Sequence, residues 1–192
     1  MSDVTSVLFV GVGGQGTILA SKILTIGLIE HGYDVKMSEV HGMSQRGGSV
    51  STQVRFGQKV YSPIIGEGSA DILVSFEEME AARYARFLKK GGKMVVNKTQ
   101  IPSLPVLSGA CQYPQGIIEE LKKHVPVRDL DATKIATDLG NPKSANVVLL
   151  GALIEALGLH DIDWKSIIAK TVKPAFVDIN LKAFDAGMAV AR

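Results

Sequence analysis

The feature that most constrains the fold is a glycine-rich segment near the start of the chain, residues 11–16, with the sequence GVGGQG. It fits the pattern GxGxxG, follows an apolar run over Ser6–Val10 that predicts a strand, and opens a stretch over Gly16–His31 whose apolar spacing predicts a helix. A glycine turn at such a junction brings backbone N–H groups close to a ligand, and the start of a helix attracts anions. We therefore expect either a site for an anionic group or a tight turn that binds nothing.

The segments that follow extend this start into an alternating pattern of strands and helices. Asp34–Ser38 predicts a second strand, and the order strand, glycine turn, helix, strand predicts a βαβ unit with parallel neighbouring strands and a right-handed crossover. Alternating or continuous apolar runs predict the remaining strands. These lie at Ser49–Phe56, Asp71–Ser75, Lys93–Val96 and Val125–Asp131.

The boundaries of one central helix can also be predicted. Ser75 is followed three residues later by Glu78, a pattern typical of a capping box at the start of a helix. Gly91 and Gly92 follow the apolar stretch of this helix and are expected to end it.

The last third of the chain has a helical pattern throughout. With the strands before it, this predicts an α/β fold, a Rossmann-like and mostly parallel sheet with flanking helices and a helical C-terminal third, in a single domain over residues 1–192. The C-terminal helices are predicted at Ala145–Leu157, Trp164–Thr171 and Val177–Val190.

Composition excludes several classes of function. The formal net charge is +2, from 21 basic and 19 acidic residues, which is too balanced for the basic surface typical of a nucleic-acid partner. The purest apolar run, Val147–Ile154, is far shorter than the ~20 residues that span a bilayer, and no basic region precedes an apolar run at the N-terminus. We therefore expect a cytoplasmic protein without a membrane partner. The single cysteine, Cys111, cannot form an intrachain disulfide, a CxxC pair or an iron–sulfur cluster by itself.

An acidic residue near the end of the second predicted strand leaves a nicotinamide-binding interpretation open. Glu39 lies at the place, roughly 20 residues after the glycine turn, where dinucleotide-binding domains carry an acid for the ribose. By itself, this pattern predicts a free-standing NAD(P)-dependent enzyme.

The most polar stretch of the chain is residues 38–49, with the sequence SEVHGMSQRGGS. It leaves the carboxyl end of the second strand beside the glycine turn, which is the edge where open parallel sheets bind ligands. Arg46 could hold a carboxylate or phosphate through two parallel hydrogen bonds. The alternative is a polar surface loop that only caps the sheet. His41 has no second histidine or cysteine at a metal-ligand spacing, so no zinc site is predicted.

These two motifs, with the distance between them, resemble the gamma domain of pyruvate and other 2-oxoacid:ferredoxin oxidoreductases. The carrying patterns are GxGGQG at residues 11–16 and SExHGxxQRGGS at residues 38–49. The resemblance extends to the Ala70–Val74 strand, to Glu77 after it and to Asn97 at a strand end, and so covers most of the chain. The chain length, with the gamma domain as a whole polypeptide, resembles the β subunit of the indolepyruvate branch.

The resemblance implies a reaction in which a 2-oxoacid, coenzyme A and oxidised ferredoxin give an acyl-CoA, carbon dioxide and reduced ferredoxin. The family's machinery is thiamine diphosphate and [4Fe–4S] clusters. A thiamine site in this family carries a Gly-Asp-Gly motif, which does not occur here, and one cysteine cannot hold a cluster. The resemblance therefore implies a large α subunit that carries these cofactors and meets ferredoxin, while the isolated chain is inactive.

The predicted role of this chain is to present an anion-binding surface at the junction with the large subunit, for a coenzyme A phosphate or the substrate carboxylate. Asn97 and Asn146 each fit either a ligand contact or a local structural role. No catalytic residue and no metal ligand is predicted. The candidate cofactor-binding residues are Gly11, Gly13, Gly14, Gln15, Gly16, Glu39, His41, Ser44, Gln45, Arg46, Gly47 and Ser49.

Three classes of function remain open at this point. The first is a subunit of a 2-oxoacid:ferredoxin oxidoreductase, and the motifs do not distinguish an aryl pyruvate from pyruvate or another 2-oxoacid. The second is the free-standing NAD(P)-dependent enzyme. The third is a non-catalytic assembly domain of the same fold.

Overall fold

The computed structural model describes residues 4–41 and 47–191, and within them a six-stranded sheet forms the centre of the molecule. The strands lie side by side in the order β2-β3-β1-β4-β5-β6. They are β1 (Thr5–Val12), β2 (Asp34–His41), β3 (Ser49–Gly57), β4 (Ala70–Ser75), β5 (Leu88–Asn97) and β6 (Val127–Leu130).

Helices connect most of these strands and make up the C-terminal third, as the sequence predicts. The last three helices coincide with their predicted ranges. In the described residues the α-helices are α1 (Thr17–Glu30), α2 (Glu78–Tyr84), α3 (Leu104–Leu107), α4 (Ile117–Lys122), α5 (Ala132–Asp138), α6 (Ala145–Leu157), α7 (Trp164–Thr171) and α8 (Val177–Val190).

All the described strands except β3 run in the same direction, which confirms the mostly parallel sheet. The prediction that the first two strands are neighbours is wrong. β3 lies between β1 and β2 and pairs antiparallel with both, from Thr5 opposite Phe56 to Val12 opposite Ser49 on the β1 side. Because β2 and β3 are joined by a short connection, they pair as an antiparallel hairpin, whereas a parallel pair needs a long crossover.

Both faces of the sheet are covered by helices, which explains the continuous apolar run in β1. Val7 and Phe9 point to the face that packs against α1 and α6, whereas Leu8 and Val10 point to the face that packs against α2 and α4. Strands buried on both faces carry apolar residues at successive positions.

The helix α6 is enclosed by the rest of the molecule, since every residue from Asn146 to Ile154 is buried. It approaches α8 so closely that only glycine fits at the crossing. A Cβ atom on Gly187 would lie 2.0 Å from the carbonyl oxygen of Val148, and one on Gly151 would lie 2.3 Å from the carbonyl oxygen of Phe184. This backbone contact fixes α6, and with it the position of the α6 start beside the glycine-rich segment.

The start of α2 differs from the predicted capping box. The N-cap residue is Glu77, whose carboxylate accepts a hydrogen bond from the backbone N–H of Glu80 at 2.9 Å. Ser75 instead donates its hydroxyl to the carbonyl oxygen of Glu77 at 2.5 Å. Glu77 takes the N-cap position because it lies directly before the first helical residue, where its side chain reaches the free N–H groups.

The prediction that Gly91 and Gly92 end the α2 helix is also wrong. The helix ends at Tyr84, a 3₁₀ turn follows over Ala85–Phe87, and both glycines lie inside β5. The register between β4 and β5 shifts near this point, and Gly91 has a φ of +78°. The glycines therefore accommodate an irregularity in the strand, which glycine tolerates better than other residues.

The part of the chain that the structure describes lacks two features. No helix in that part of the chain is both long and apolar enough to cross a membrane. The same residues contain no group of three or more histidine, cysteine or acidic side chains placed to hold a metal ion. Cys111 is exposed.

Candidate functional site

The glycine-rich segment, called the glycine loop below (residues 11–16), turns the chain from β1 into α1 at the carboxyl edge of the sheet. Gly14 and Gly16 have φ values of +104° and +83°, which other residues rarely adopt. Gly16 is the N-cap of α1, which has no side-chain cap and no acidic residue in its first turn. The first N–H groups of a helix have no partner within the helix, so this end carries unneutralised partial positive charge.

The side chain of Gln15 shapes the glycine loop from inside. Its carbonyl oxygen accepts a hydrogen bond from the N–H of Val12 at 2.7 Å, and its amide nitrogen donates to the carbonyl of Phe76 at 2.8 Å. Any side chain at Gly11 would meet Gln15 and Phe76 at 2.9 Å. Gly11 and Gln15, two of the predicted binding residues, are thus placed where they hold the loop in shape.

The described end of the polar stretch, Gly47–Ser49, lies against the glycine loop. Gly13 donates its N–H to the carbonyl of Gly48 at 2.8 Å, and Gly47 donates to the carbonyl of Gly13 at 3.3 Å. The structure thus brings Gly13 and Gly47 together, as the motif spacing suggests. Residues 42–46, with the candidates Ser44, Gln45 and Arg46, lie outside the described residues, as does the side chain of His41.

Ser49 is directed away from the cavity that Glu39 lines. Its hydroxyl donates to the carboxylate of Glu80 at 2.5 Å, and Glu80 also accepts a hydrogen bond from Arg83 at 3.0 Å. Glu80 belongs to α2, which packs on the opposite face of the sheet from α1. Ser49 therefore ties the start of β3 to α2.

One cavity, of about 360 Å³, lies between the glycine loop and the ends of β2 and β3. Glu39 lines it, so the structure brings this candidate to the same cavity as Gly13, Gly14 and Gly16. Glu39 is paired with Thr52 across the sheet, and β3 separates it from β1. The lining residues are Gly13, Gly14, Gly16, Thr17, Ile18, Glu39, Val40, Val50, Ser51 and Thr52.

A second cavity, of about 400 Å³, lies on the other side of the same loop, where the connections after β1 and β4 separate. Ligands of open α/β sheets commonly bind at this switch in strand order. Its walls are the glycine loop, Phe76, the start of α6, and Lys143 in the 3₁₀ turn Pro142–Ser144 that precedes α6. In the described part of the chain, Lys143 has no salt bridge. The lining residues are Gly14, Gln15, Gly16, Phe76, Asn97, Thr133, Pro142, Lys143, Ala145 and Leu149.

The starts of α1 and α6 meet at this second cavity. Asn146 donates its amide to the carbonyl of Gly16 at 3.2 Å, and a Cβ on Gly16 would lie 2.5 Å from that amide nitrogen. Like α1, α6 has no side-chain cap and no acidic residue in its first turn. The Ser144 hydroxyl and the Asn146 carbonyl oxygen are buried without a hydrogen-bond partner among the described residues. The uncapped start of α1 and the amide of Asn146 therefore meet at Gly16. The N–H of Ala145, which begins α6, already donates to the carbonyl of Pro142 in a preceding 3₁₀ turn, Pro142–Ser144.

The ends of β4 and β5, beside this cavity, are closed by their own side chains. Asn97 is buried, donates its amide to Phe76, Thr99 and Thr133, and accepts from the N–H of Ala132 at 2.9 Å. Of its two predicted roles, the structure supports the structural one.

The buried carboxylate of Glu77 closes the neighbouring connection in the same way. It accepts hydrogen bonds from the hydroxyl of Tyr113 at 2.5 Å and from the N–H of Ile101 at 3.1 Å. Burial raises the pKa of the Tyr113 hydroxyl, and its hydrogen bond to Glu77 raises it further. The phenol therefore stays protonated and donates, while its oxygen accepts from the N–H of Met79 at 3.1 Å.

With this geometry in view, comparison with known proteins assigns the family. Residues 6–190 match the family model described as pyruvate ferredoxin/flavodoxin oxidoreductase. The chain belongs to this family. The resemblance carried by the glycine loop and the polar stretch is thereby confirmed.

Members of the family differ in their similarity to this chain. The indolepyruvate oxidoreductase subunit IorB of Pyrococcus horikoshii is 43% identical over 97% of this chain and 96% of its own length. The 2-oxoglutarate synthase subunit KorC of Methanothermobacter thermautotrophicus is 30% identical, over 92% of this chain and 89% of its own length.

Solved structures confirm the fold. The gamma subunit of a keto/oxoacid ferredoxin oxidoreductase from Geobacter sulfurreducens aligns with a TM-score of 0.73, at 24% identity, over 97% of this chain and 98% of its own. A 2-oxoglutarate:ferredoxin oxidoreductase from Magnetococcus marinus aligns with a TM-score of 0.74, at 22% identity, over 100% of this chain but only 31% of that chain. The same fold therefore occurs both as a separate polypeptide and as one part of a longer one.

The family's cofactors do not fit the residues of this chain. The sequence has one cysteine and no Gly-Asp-Gly segment, and the described residues contain no cluster of metal-binding side chains. A [4Fe–4S] cluster needs several thiolates. What the chain does offer is the region where the starts of α1 and α6 meet, which carries groups able to bind an anion.

Lys143 and the convergence of α1 and α6 are the features that the sequence did not reveal. Lys143 follows Pro142 directly before a predicted helix, which marks it only as a residue near a helix start. The contact between Gly16 and Asn146 joins positions 130 residues apart, and no local pattern encodes it.

Proposed function

We propose that this chain is the small, gamma-type subunit of a thiamine-dependent indolepyruvate:ferredoxin oxidoreductase, folded as one domain over residues 1–192. The enzyme would convert an aryl pyruvate and coenzyme A to an acyl-CoA and carbon dioxide, with two electrons passing to ferredoxin. The support for the aryl substrate is the higher identity to the indolepyruvate subunit, 43%, than to the 2-oxoglutarate subunit, 30%. Pyruvate or another 2-oxoacid is the alternative substrate.

The cofactors are assigned to the other subunit because this chain lacks the residues that would hold them. Thiamine diphosphate and the [4Fe–4S] clusters belong to a large α subunit, because the donor set needed for them is missing here. Ferredoxin then meets the large subunit, and the isolated small subunit does not turn over substrate. The complex works in the cytoplasm.

The contribution of this chain is to bind an anionic group at the glycine loop, either a phosphate of coenzyme A or the substrate carboxylate. The observation that carries this proposal is the uncapped start of α1 at Gly16, which the start of α6 meets through the side chain of Asn146. Helix starts bind anions through free N–H groups and the helix dipole. Lys143 adds a full positive charge on one side of the loop, and Arg46 is proposed to add a second.

The test begins with the complex itself. The tagged chain is purified gently from its native host, and its partners are identified together with their iron and thiamine diphosphate content. Rates of dye reduction with indolepyruvate, pyruvate and 2-oxoglutarate then rank the substrates. A partner without either cofactor, or no turnover with any 2-oxoacid, contradicts the proposed function.

The anion site is tested in the same complex by Arg46→Ala. We expect the KM for coenzyme A or for the 2-oxoacid to rise roughly tenfold, since hydrogen bonds to charged groups contribute about 1.5–3 kcal/mol. Arg86→Ala is the matched control, because Arg86 is exposed and paired with Glu67 away from the glycine loop. Unchanged KM values for both substrates contradict a role for Arg46.

A free-standing NAD(P)-dependent enzyme is the second candidate, and Glu39 in the glycine-loop cavity favours it. In dinucleotide-binding sheets the acid lies on the strand next to β1, whereas here β3 intervenes. The separation of Glu39 from β1 is therefore two strand spacings, about 10 Å. Titration of the isolated chain with NADH, followed by fluorescence, decides between the two: saturable micromolar binding supports this candidate.

A further inference from the structure

The connection between β5 and α4 differs from the rest of the surface in its composition. Residues 99–116, called the uncharged loop below, contain no charged side chain, and neither do the next two residues, Ile117 and Ile118. In the whole chain 21% of the residues are charged, so about four charges would be expected in this stretch.

The uncharged loop exposes apolar side chains at its centre. Leu104 and Leu107, at the two ends of α3, are 78% and 71% exposed. Only Tyr61 is more exposed among the large apolar residues with described exposure. Depletion of charge together with exposed large apolar groups is typical of the core of a protein–protein interface.

The loop is nevertheless held in place at both ends. The buried carboxylate of Glu77 accepts hydrogen bonds from the N–H of Ile101 and from the hydroxyl of Tyr113. The backbone carbonyl of Thr99 accepts a hydrogen bond from the N–H of Glu78 at 3.0 Å. Proline at three positions of the loop restricts its backbone further. A surface fixed before binding loses less conformational entropy when a partner docks.

The position of the loop points to its partner. It follows β5 at the carboxyl edge of the sheet, the same edge that carries the glycine loop. The carbonyl of Phe76 accepts hydrogen bonds from Gln15 of the glycine loop and from Asn97, which ends β5 two residues before the uncharged loop. A subunit that brings a reacting group to the glycine loop must approach this edge. In the Magnetococcus marinus chain the same fold makes up 31% of a longer polypeptide. The part of the protein that is covalently joined to this fold there would be a separate subunit here.

We propose that the uncharged loop is the docking surface for the large, cofactor-bearing subunit, with Leu104 and Leu107 inserted into an apolar and uncharged recess of that subunit. This assignment rests on the proposed function. It commits to a heterologous partner, and self-association of this chain through the loop is an outcome that would contradict it.

The test compares Leu104→Asp/Leu107→Asp with Tyr61→Asp in binding to the large subunit. Tyr61 is 89% exposed and lies beyond the end of β3, at the opposite edge of the sheet, so it is a matched control. We expect the double variant to bind at least 100-fold more weakly and Tyr61→Asp to bind as the wild type does. Thermal unfolding of each variant, expected to match the wild type, shows that the loss is one of docking.

A second measurement needs no substitution. Cys111 is exposed, lies in the uncharged loop, and is the single cysteine of the chain. Alkylation by N-ethylmaleimide, read from the intact mass of this chain, should slow at least tenfold when the large subunit is bound. Equal alkylation rates in the free chain and the complex, with wild-type binding by the double variant, would overturn the assignment of the surface.

The two proposals fail differently in this experiment. If the wild-type chain does not bind the large subunit at all, the proposed function fails and this assignment fails with it. If the wild type binds and the double variant binds equally well, only the assignment of the surface fails. If sedimentation shows that the double substitution converts a dimer of the isolated chain to a monomer, the occupant is a second copy and the proposed partner is wrong.

Discussion

Two regions at the same edge of the sheet use their polar groups in opposite ways. The first, called the closed region, lies at the ends of β4 and β5. There the side chains of Asn97 and Glu77 direct every described polar atom towards another group of the chain. At the starts of α1 and α6, the open region, neither helix has a side-chain cap or an acidic first turn. The first arrangement stabilises the fold, and the second leaves the first N–H groups of α1 without a side-chain partner.

The comparison shows that polarity at a binding edge is by itself a poor guide to binding. Asn97 and Gln15 lie beside the cavities, yet both side chains are engaged by backbone groups. The proposed anion site relies instead on the main-chain N–H groups at the start of α1, which the glycine loop leaves uncovered because glycine has no side chain. Substitutions in the closed region should therefore lower stability, whereas the removal of a positive charge from the open region should lower affinity.

The largest expected effect is that of Asn97→Ala in the closed region. The substitution leaves the N–H of Ala132 buried without its partner and removes the amide from three acceptors. A buried unsatisfied group costs about 1–3 kcal/mol, and with the lost packing we expect about 3 kcal/mol. For a chain of this size the melting temperature should fall by about 6–12 °C, as measured by circular dichroism.

Gln100→Ala is the control for this change, because Gln100 is exposed and makes one hydrogen bond to Glu78, at 3.0 Å. Its melting temperature should stay within about 2 °C of the wild type. A similarly small change for Asn97→Ala would show that the closed region does not depend on this amide.

The next largest effect is expected at Gly16, where the starts of α1 and α6 meet in the open region. Gly16→Ala imposes a φ of +83° on alanine and places a methyl group 2.5 Å from the amide nitrogen of Asn146. A left-handed conformation alone costs about 1–2 kcal/mol, so we expect a total of about 2–3 kcal/mol. Gly14→Ala has a similar φ but no atom near the new methyl group, and should cost only about 1 kcal/mol.

A double-mutant cycle separates the cost of the strained φ at Gly16 from the cost of the contact with Asn146. Asn146→Ala in the Gly16→Ala background should recover part of the stability, because it removes the contact but not the strained φ. Urea unfolding of the four proteins gives the coupling energy. No coupling between the two sites would mean that the helices α1 and α6 do not meet as tightly as the structure shows.

The sequence could predict the elements of this edge but not how they meet. Apolar periodicity is local, so it placed β1, α1 and the C-terminal helices correctly. The insertion of β3 between β1 and β2 is a choice of strand pairing, which periodicity does not contain. For the same reason, the approach of Asn146 to Gly16 could not be predicted, although both residues had been singled out for their types.

Capping patterns failed for a different physical reason. Ser75 with Glu78 matched the capping-box spacing, but Glu77 also lay within reach of the first helical N–H groups and took that position. Where two residues near the start of a helix can both accept, the spacing does not decide between them. Within the candidate site, the motif correctly brought Gly13 and Gly47 together, whereas it did not show that Ser49 points to the other face.

A change in affinity without a change in stability is expected for Lys143→Ala in the open region. The side chain is exposed and makes no described salt bridge, so the melting temperature should change by less than about 2 °C. In the complex with the large subunit, the KM for coenzyme A or the 2-oxoacid should rise roughly tenfold, or about 1.4 kcal/mol. Lys165→Ala, which removes an exposed lysine paired with Asp185, should leave both KM values unchanged.

The smallest expected effect concerns the charged rim of the closed region, where Asp129 of β6 pairs with Lys98 at 2.8 Å and with Lys122 at 2.5 Å. Burial raises the pKa of Asp129, but the hydrogen bonds from Lys122 and Lys98 outweigh it, so the pKa lies below its usual range. A carboxyl whose pKa is lowered by folding adds stability above its unfolded pKa, about 3.9, and this stability is lost as the pH falls through the folded pKa.

Asp129→Asn should therefore destabilise the chain at pH 7, by less than about 1 kcal/mol because both lysines are half-exposed. The difference from the wild type should shrink below about pH 4 and disappear once Asp129 is protonated in the folded protein. Urea unfolding at pH 7 and at pH 3 measures it. A difference that is as large at pH 3 as at pH 7 would mean that Asp129 acts through packing or neutral hydrogen bonds, as Asn97 does. The charges would then contribute nothing to the stability of the closed region.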